Sequence, residues 1–558
     1  MIRSTGNSVI SSLPMLKRVI GGIGVGLVFL AQGMPPASAI ATDIRVTIEA
    51  IDLTPAACSG TFVTHDLRYT TTTSSDVIGF YESNGTGLAI NDLDDDGRLD
   101  IVLANLYGRN TILWNDGDLN FTPQPLADRQ SRAAAIVDVD GDGLLDIVFS
   151  HVAASLDIWR NLGDRTFHQE TLPGVRKPAF TFTWSDVDHD GDLDLATGSY
   201  NVELAQKLGS NSLFNQDAGI IYYENQAGEF NPTRLSDESQ ALAIWMGDLN
   251  ADGHAELIIG NDFLVPDQLW TYGVAEWREN RMFETTTYST MSFDVGDVDN
   301  NRRQDIFAAD MKPYQPTPAV MAIWQPVFDA MRQTLLPDNP QHMENVLQMA
   351  LPGGNFSNYA AGYGVTASGW SWSGKFGDLD QDGYLDLYVV NGMIARELFP
   401  TQLGKELIEE NQAFHNLNGE RFVPAPEWGL GSTRSGRGMS MADLDNDGDL
   451  DIVVNNLTTP AQLFENQLCQ GSSLQVELYR KDVPNTCDLG AVLHLYTDHG
   501  TYTRDIRALS GYLSGDPARV HFGFPLNTEL QALEIVWSDG SQNTITDLTA
   551  NQLLKIRR

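Results

Sequence analysis

A nine-residue acidic pattern, D-x-D-x-D-G-x-x-D, recurs seven times along this chain, with substitutions in two copies. The copies begin at residues 92, 138, 186, 248, 297, 378 and 443. The three shortest intervals between copies are 46, 48 and 49 residues. A fixed period in that range is typical of solenoids and propellers. The chain is therefore expected to be built from repeated structural units.

Calcium chemistry explains the spacing of the acidic residues. Carboxylates this close together repel one another unless a cation lies among them. Calcium takes six to eight oxygen ligands, which side chains at positions 1, 3, 5 and 9 and the backbone carbonyl at position 7 can supply. Position 6 is glycine in six copies, as a tight turn with positive φ requires. The pattern predicts up to seven bound calcium ions and no other cofactor.

The expected ligands at positions 1, 3, 5, 7 and 9 are, loop by loop, Asp92, Asp94, Asp96, Arg98 and Asp100; Asp138, Asp140, Asp142, Leu144 and Asp146; Asp186, Asp188, Asp190, Asp192 and Asp194; Asp248, Asn250, Asp252, His254 and Glu256; Asp297, Asp299, Asn301, Arg303 and Asp305; Asp378, Asp380, Asp382, Tyr384 and Asp386; and Asp443, Asp445, Asp447, Asp449 and Asp451.

Two copies depart from the pattern and are expected to be weaker sites. In the fourth, Asn250 replaces a carboxylate, and in the fifth, Asn301 does so while Arg302 takes the glycine position. The loops are not EF-hands, because those need a glutamate at position 12, where the first copy has Leu103. The alternative is a set of Asx-turn hairpins whose carboxylates face solvent.

Apolar strand sequences follow the loops, and an Asn/Gly turn and a phenylalanine come after several of them, as in "ILWNDGDLNF". This makes about four strands per repeat, the unit of a β-propeller blade. The seventh copy lacks its last strand, and "SGTFVTHDL" at residues 59–67 resembles one. We therefore expect an all-β, seven-bladed propeller over 59–467, in which residues 61–67 close the last blade.

Composition and the first residues bear on location and partners. The chain has 74 acidic and 35 basic residues, a formal charge of −39, which disfavours nucleic acid as a partner. Residues 1–39 combine basic residues, the apolar run "VIGGIGVGLVFLA" and "ASA", the layout of a signal peptide. We expect an exported protein, secreted, periplasmic or at the cell surface, with no membrane span in the mature chain.

The repeats resemble the FG-GAP/VCBS repeats of integrin α-subunit-like propellers. The tail, residues 468–558, resembles the ASPIC/UnbV domain of cartilage-acidic-protein-like proteins through "LGAVLHLYT", "SGYLSG", "VHFGFP", "LEIVWSDGS" and "NQLLKI". It departs from that family in "FGFP" for "FGLG" and in "WSDG" for "WP-x-G". Alternating strands with glycine turns predict a small β-sandwich, expected to pack as a domain of its own.

No catalytic motif is present: the sequence lacks G-x-S-x-G, H-E-x-x-H and a phosphate-binding loop. We expect a calcium-binding module for binding or adhesion, with a protein or glycan partner that the sequence does not identify. The alternative is a carbohydrate-active lyase or hydrolase with its active site in the propeller channel, a location that other propellers use for catalysis.

Cysteines and insertions leave further alternatives. Cys469 could pair with Cys487, leaving Cys58 over; all three could be free thiols; or Cys58 could pair with Cys469. Apolar spacing predicts short helical insertions over residues 319–336, 342–351 and 404–416.

Overall fold

The structure is a computed structural model that describes residues 44–55, 58–128, 130–209, 218–263, 265–274, 276–332 and 341–558. The described residues belong to one compact unit, Asp43–Arg558. The expected signal peptide, residues 1–39, lies outside the described residues.

Seven antiparallel sheets of four main strands each account for most of the described chain. From first to last strand they are sheet 1, Leu88–Asn91, Asp100–Leu103, Arg109–Asn115 and Phe121–Asp128; sheet 2, Ser131–Val137, Asp146–His151, Ala154–Asn161 and Phe167–Glu170; sheet 3, Thr181–Ser185, Asp194–Gly198, Ile220–Gln226 and Glu229–Ser236; sheet 4, Ala241–Gly247, Glu256–Asn261, Gln268–Tyr272 and Trp277–Asn280; sheet 5, Ser292–Gly296, Asp305–Ala309, Val346–Leu351 and Asn355–Asn358; sheet 6, Gly369–Gly377, Asp386–Asn391, Gln412–Leu417 and Arg421–Pro424; and sheet 7, Gly436–Ala442, Asp451–Asn456, Pro460–Glu465 and Val63–Thr70.

The first strands of successive sheets lie beside one another around a ring, and the first strand of sheet 7 lies beside that of sheet 1. These strands are buried along almost their whole length, because small and apolar side chains fill the space between neighbouring sheets. The predicted all-β propeller fold is confirmed. Each acidic loop joins the first strand of a sheet to the second.

The N-terminal segment closes the ring as predicted. Val63–Thr70 pairs antiparallel with Pro460–Glu465, placing Thr64 opposite Phe464. A sheet edge that would otherwise be open is thereby paired. A disulfide between Cys58 and Cys469 lies beside this junction, with Cα atoms 5.7 Å apart. The Cys469–Cys487 pairing considered from the sequence is therefore wrong, and Cys487 is a buried free thiol.

The tail forms two four-stranded sheets whose apolar residues share one core. One sheet consists, in order, of Thr47–Asp52, Gln552–Arg557, Gly471–Tyr479 and Arg519–Pro525, and the other of Thr501–Asp505, Val492–Thr497, Leu530–Val536 and Gln542–Ile545. The sandwich expected from alternating strands is thus present. Its first strand, Thr47–Asp52, comes from the other end of the chain and pairs with Gln552–Arg557.

A hairpin of the tail, Leu509–Ser510 and Ser514–Gly515, enters the centre of the ring. It lies against first strands of sheets 1, 2, 4, 5 and 7, and Gly515 pairs with Ala89. Tyr512 at its tip is fully buried and donates a hydrogen bond to the Asn84 carbonyl at 2.8 Å. The expectation that the tail packs as a separate domain is therefore wrong, because the propeller channel contains part of it.

Helices are few. The first predicted helix is present as Pro318–Arg332, which buries Trp324 against Trp370 at 5.4 Å between ring centroids. The predictions for 342–351 and 404–416 are wrong: these segments supply the third strands of sheets 5 and 6. Sheet pairing overrides their helical spacing. The other helices in the part of the chain that the structure describes are Asn201–Leu208 and Ala360–Tyr363, with 3-10 turns Glu82–Asn84, Leu403–Lys405 and Pro426–Trp428.

Short strand pairs complete the described topology. They are Thr286–Thr287 with Gln341–His342, Met311–Lys312 with the start of Gly369–Gly377, and Met393–Ile394 with Glu406–Leu407.

Candidate metal-binding loops

All seven acidic loops adopt one backbone turn. Position 6 has positive φ in every copy, at 86° for Gly97 and 67° for Arg302, as the sequence predicts for the glycines. Position 4 also has positive φ, for example 56° at Asp95, which the sequence pattern did not indicate. The left-handed residues at positions 4 and 6 curl the loop tightly enough to bring its side chains together.

The carboxylate at position 1 fixes the turn. In each loop it accepts a hydrogen bond from the backbone N–H of position 6, at 2.7–3.2 Å. The donors are Gly97, Gly143, Gly191, Gly253, Arg302, Gly383 and Gly448. An Asx-type turn of this kind needs no metal, so the loop shape is partly fixed by the chain itself.

The carboxylate at position 9 begins the second strand and is buried in every copy. In the first loop Asp100 accepts N–H groups from Leu93 at 3.1 Å and from Asn115 at 2.8 Å. The bond from position 2 recurs in all seven loops. These carboxylates therefore tie the loop to the second and third strands of its own sheet.

Side chains from positions 1, 3, 5 and 9 converge. Seven groups of ligand-type atoms within 4.8 Å of one another occur among the described residues, and they include Asp92, Asp94 and Asp96; Asp138, Asp140 and Asp146; Asp186, Asp188 and Asp190; Asp297, Asp299 and Asp305; and Asp380, Asp386 and His415. Position 3 gives the strongest indication of a missing ligand. One buried carboxylate oxygen has no hydrogen-bond partner in each of Asp94, Asp299, Asp380 and Asp445. Apart from His415, the donors in these groups are carboxylate oxygens, and such a set fits a hard divalent cation such as calcium.

The residues at position 7 differ from loop to loop. Asp192 and Asp449 each keep a buried, unpartnered carboxylate oxygen and so add a candidate side-chain ligand to the third and seventh loops. At the other position-7 residues, Arg98, Leu144, His254, Arg303 and Tyr384, only the backbone carbonyl is a candidate ligand.

Burial of so many carboxyl groups shifts their proton affinity. Burial, together with the neighbouring Asp94 and Asp92 charges, raises the pKa of Asp100 to about 8. Burial likewise raises the pKa of Asp194 and Asp305 to about 8 and that of Glu256 to about 7. Without a cation, these groups hold protons near neutral pH, and a bound cation would favour their ionised form.

Arginines contact carboxylates of the first and second loops, and a histidine contacts one in the sixth. Arg165 contacts Asp94 of the first loop at 2.6 Å. Arg160 contacts Asp146 of the second loop at 2.6 Å and Asp140 at 3.1 Å. In the sixth loop, His415 lies 3.1 Å from Asp380. The first and second loops are therefore partly neutralised by protein groups, a difference that the ligand pattern alone does not reveal.

The tail sandwich lies on the loops. Thr486 donates a hydrogen bond to the Asp138 carboxylate at 2.7 Å, and Gln475 donates to Asp443 at 2.5 Å. The Asn485 N–H donates to the Gly191 carbonyl at 2.9 Å. Tail groups thus bind two carboxylates that are candidate metal ligands, so loop and tail geometry depend on each other.

Sequence reasoning missed a recurring asparagine that supports the loops. In five sheets an asparagine lies at or just after the end of the third strand. Its backbone N–H donates a hydrogen bond to the position-9 carboxylate of the same sheet; these residues are Asn115, Asn161, Asn225, Asn416 and Asn466. The Asn161 side chain also donates to the Leu93 carbonyl of the preceding sheet at 2.8 Å. The repeated Asn before the Gly turn, as in "WNDG" and "RNLG", was the available signal.

No helix among the described residues is long and apolar enough to cross a membrane. Among curated proteins, none matches the sequence.

Similar solved structures share little sequence with this chain. BBS1N, in a crystal structure with ARL6DN, has 10% identity and a TM-score of 0.41 over 74% of this chain and 98% of its own. The WD40 domain of Toxoplasma gondii coronin has 10% identity and a TM-score of 0.40 over 75% of this chain and 89% of its own.

Family matches cover both parts of the molecule. Residues 92–149, 138–197 and 406–454 match the FG-GAP-like repeat, and residues 482–558 match the ASPIC and UnbV family. The resemblance seen in the sequence is confirmed. The chain carries FG-GAP-like repeats followed by an ASPIC and UnbV domain.

Proposed function

We propose that this chain is an exported calcium-binding β-propeller that acts outside the cytoplasm as a binding or adhesion module for a protein or glycan. The observation that carries the calcium assignment is the convergence of carboxylates in the repeated loops, with buried, unpartnered oxygens at position 3. A buried unpartnered carboxylate oxygen is costly, and a cation would remove that cost.

The loops are not equivalent in this proposal. The third and seventh hold the cation most strongly, because Asp192 and Asp449 add carboxylates to the pattern. The first and second are weaker than their sequences suggest, because Arg165 and Arg160 already neutralise part of their charge. The fourth and fifth have fewer carboxylates.

Export is supported by two observations. The sequence of residues 1–39 has the layout of a signal peptide. The disulfide between Cys58 and Cys469 joins residues 411 apart in the sequence, and disulfides of this kind form and persist in oxidising compartments.

Binding is favoured over catalysis in the channel. Ionisable groups do converge at the channel mouth, as a channel enzyme would require, but they pair with one another. Arg507 contacts Asp294 at 3.0 Å and Asp505 at 2.7 Å, and Lys375 pairs with Asp516. The tail hairpin occupies the space where a substrate would enter, which disfavours the lyase or hydrolase alternative.

A glycan and protein array probed in calcium, and again in metal-free buffer, tests the binding function. We expect retention of the protein on a small set of ligands, and loss of that retention without calcium. Cleavage of an arrayed glycan would support the enzyme alternative instead. Absence of retention under both conditions would contradict the binding proposal.

A further inference from the structure

A histidine faces the sixth acidic loop from the third strand of its sheet. His415 lies on the strand Gln412–Leu417 and pairs with Val423 of the next strand. Its ring also packs against the ring of Trp428, with 5.5 Å between the ring centroids. Strand pairing and this ring contact hold the imidazole in place beside the loop.

The strand position of His415 is one from which a side chain reaches the loop carboxylates. In the five sheets with the supporting asparagine, the residue just before that asparagine is, in order, Trp114, Arg160, Glu224, His415 and Glu465. Arg160 contacts Asp140 and Asp146 of the second loop at 3.1 and 2.6 Å. An arginine there gives only a fixed positive charge, because its guanidinium has no acceptor atom. A histidine at the same position can coordinate a metal ion.

The Nε2 atom of His415 lies among carboxylate oxygens. It is 3.1 Å from Asp380 Oδ2 and 3.6 Å from Asp382 Oδ2. It is buried, and it makes no hydrogen bond to any described residue. Asp380, Asp386 and His415 each offer one ligand atom, and these three atoms lie within 4.8 Å of one another. A nitrogen that approaches two carboxylates without the geometry of a hydrogen bond to either is placed as a metal ligand would be.

Asp380 gives a separate indication of a ligand at the same place. Its side chain is 6% exposed, and its Oδ1 has no hydrogen-bond partner in the part of the chain that the structure describes. A buried carboxylate oxygen without a partner is rare in native proteins and calls for a bound ion or water. Asp386 is fully buried and accepts the Leu379 and Asn416 N–H groups at 2.9 and 2.8 Å, which fixes the second carboxylate.

A small ion can reach this group from solvent. The side chains of Asp382 and His415 are 32% and 28% exposed, so the group borders solvent rather than lying wholly in the interior. An entry path of this kind is one requirement of a metal site, together with suitable ligands in suitable number.

We propose that the sixth loop binds zinc through Asp380, Asp386 and His415. Calcium takes oxygen ligands, whereas imidazole nitrogen suits zinc and its neighbours among the transition metals, and zinc also accepts carboxylate oxygen. Zinc binds both atom types at about 2.0–2.2 Å, so the Nε2 and Oδ2 atoms 3.1 Å apart can both ligate one ion. The inference rests on the proposed metal-binding role of the loops and assigns a different metal to one of them.

Calorimetric titration of zinc into the full-length mature protein, without a histidine tag and in millimolar calcium, tests the inference. Calcium occupies the all-oxygen loops, so we expect one zinc ion to bind per chain and magnesium added in its place to show no such binding. X-ray absorption at the zinc edge should then show an imidazole among the ligands. Absence of zinc binding, or a zinc shell of oxygen alone, would overturn the inference.

Two variants distinguish coordination from simple charge pairing. His415→Arg keeps a positive charge beside the loop, as Arg160 does in the second loop, but cannot ligate zinc. His415→Gln removes both the charge and the imidazole. Zinc should bind to each variant at least about tenfold more weakly, since even partners of metal ligands typically contribute that much. His168→Gln, at an exposed histidine outside the loops, is the control and should bind zinc normally.

Unchanged zinc binding in His415→Arg and His415→Gln would place the zinc elsewhere and overturn the inference. The calcium proposal and the zinc inference fail separately. A melting temperature that rises with calcium, without zinc binding to the calcium-loaded protein, would overturn the inference alone. Zinc binding that both variants weaken, with no effect of calcium on the melting temperature, would support the zinc site and contradict the calcium assignment.

Discussion

Single residues in the acidic loops serve two purposes. Asp194 holds the N–H groups of Val187 and Asn225 at 3.1 and 2.9 Å and also accepts the Tyr222 hydroxyl at 2.8 Å. Asp188, two residues into the same loop, is exposed and bonds only within the loop. Position 9 therefore stabilises the sheet with or without metal, whereas position 3 is available mainly to a cation.

This difference predicts unequal effects of alanine in metal-free buffer. Asp194→Ala leaves buried N–H groups without acceptors and should cost about 2–4 kcal/mol of unfolding free energy. Asp188→Ala removes a like charge and should change it by less than about 0.5 kcal/mol. Urea unfolding measures both values, and comparable losses in the two variants would contradict the assigned roles.

The raised pKa values predict how stability depends on pH. The pKa values of Asp100, Asp194 and Asp305 are about 8, raised mainly by burial. The folded state then holds protons that the unfolded chain releases above about pH 4. The metal-free protein should therefore lose stability as pH rises from about 4 to about 8, by up to about 1.4 kcal/mol per pH unit for each proton.

Calcium competes with those protons, so its stabilising effect should be larger at pH 8 than at pH 5. Thermal unfolding at pH 5, 6.5 and 8, in metal-free buffer and in calcium, measures this effect. A calcium effect that is largest at pH 5 would mean that the position-9 carboxyl groups do not take part.

The sequence predicted the left-handed turn of the loops, because fixed spacing and glycine constraints are local. Position 6 adopts the expected left-handed conformation even where it is Arg302. The sequence did not indicate that Arg160 and Arg165 reach the carboxylates of the second and first loops, because those contacts join different strands and sheets.

At the scale of elements, the two N-terminal strands have different partners. Val63–Thr70 completes sheet 7, as the missing last strand of the seventh repeat predicted. Thr47–Asp52 completes a tail sheet, which no repeat pattern could indicate because that pairing has no counterpart elsewhere in the chain. The helical spacing of 404–416 failed as a predictor because Gln412–Leu417 must pair within sheet 6.

Two truncations separate these strands. A chain that starts at residue 59 loses the tail strand and the disulfide but keeps sheet 7, and should melt lower while staying monomeric. A chain that starts at residue 71 also exposes the edge Pro460–Glu465, and should aggregate. Gel filtration and thermal unfolding distinguish them, and a monomeric second truncation as stable as the first would contradict ring closure by this strand.

The tail hairpin should be essential to the propeller. Tyr512 is fully buried and packs 5.2 Å from Trp372. Tyr512→Ala leaves a cavity and should cost about 3–5 kcal/mol, whereas Tyr512→Phe loses one hydrogen bond and should cost about 1 kcal/mol. Chemical unfolding measures both, and a small effect of Tyr512→Ala would mean that the hairpin is dispensable.

At the scale of the whole molecule, the ring, the loops and the tail depend on one another. The tail hairpin occupies the channel, and tail side chains bind Asp138 and Asp443 of the loops. Cation binding at the loops should therefore stabilise propeller and tail together, since a ligand that binds only the folded state adds RT ln(1 + [L]/Kd) to its stability.

Calorimetric unfolding of the mature protein, first in metal-free buffer and then in millimolar calcium, tests this account most directly. We predict one cooperative transition whose midpoint rises by several degrees in calcium, and less in equal magnesium, because magnesium demands a smaller, octahedral site. An unchanged melting temperature in calcium would contradict the account.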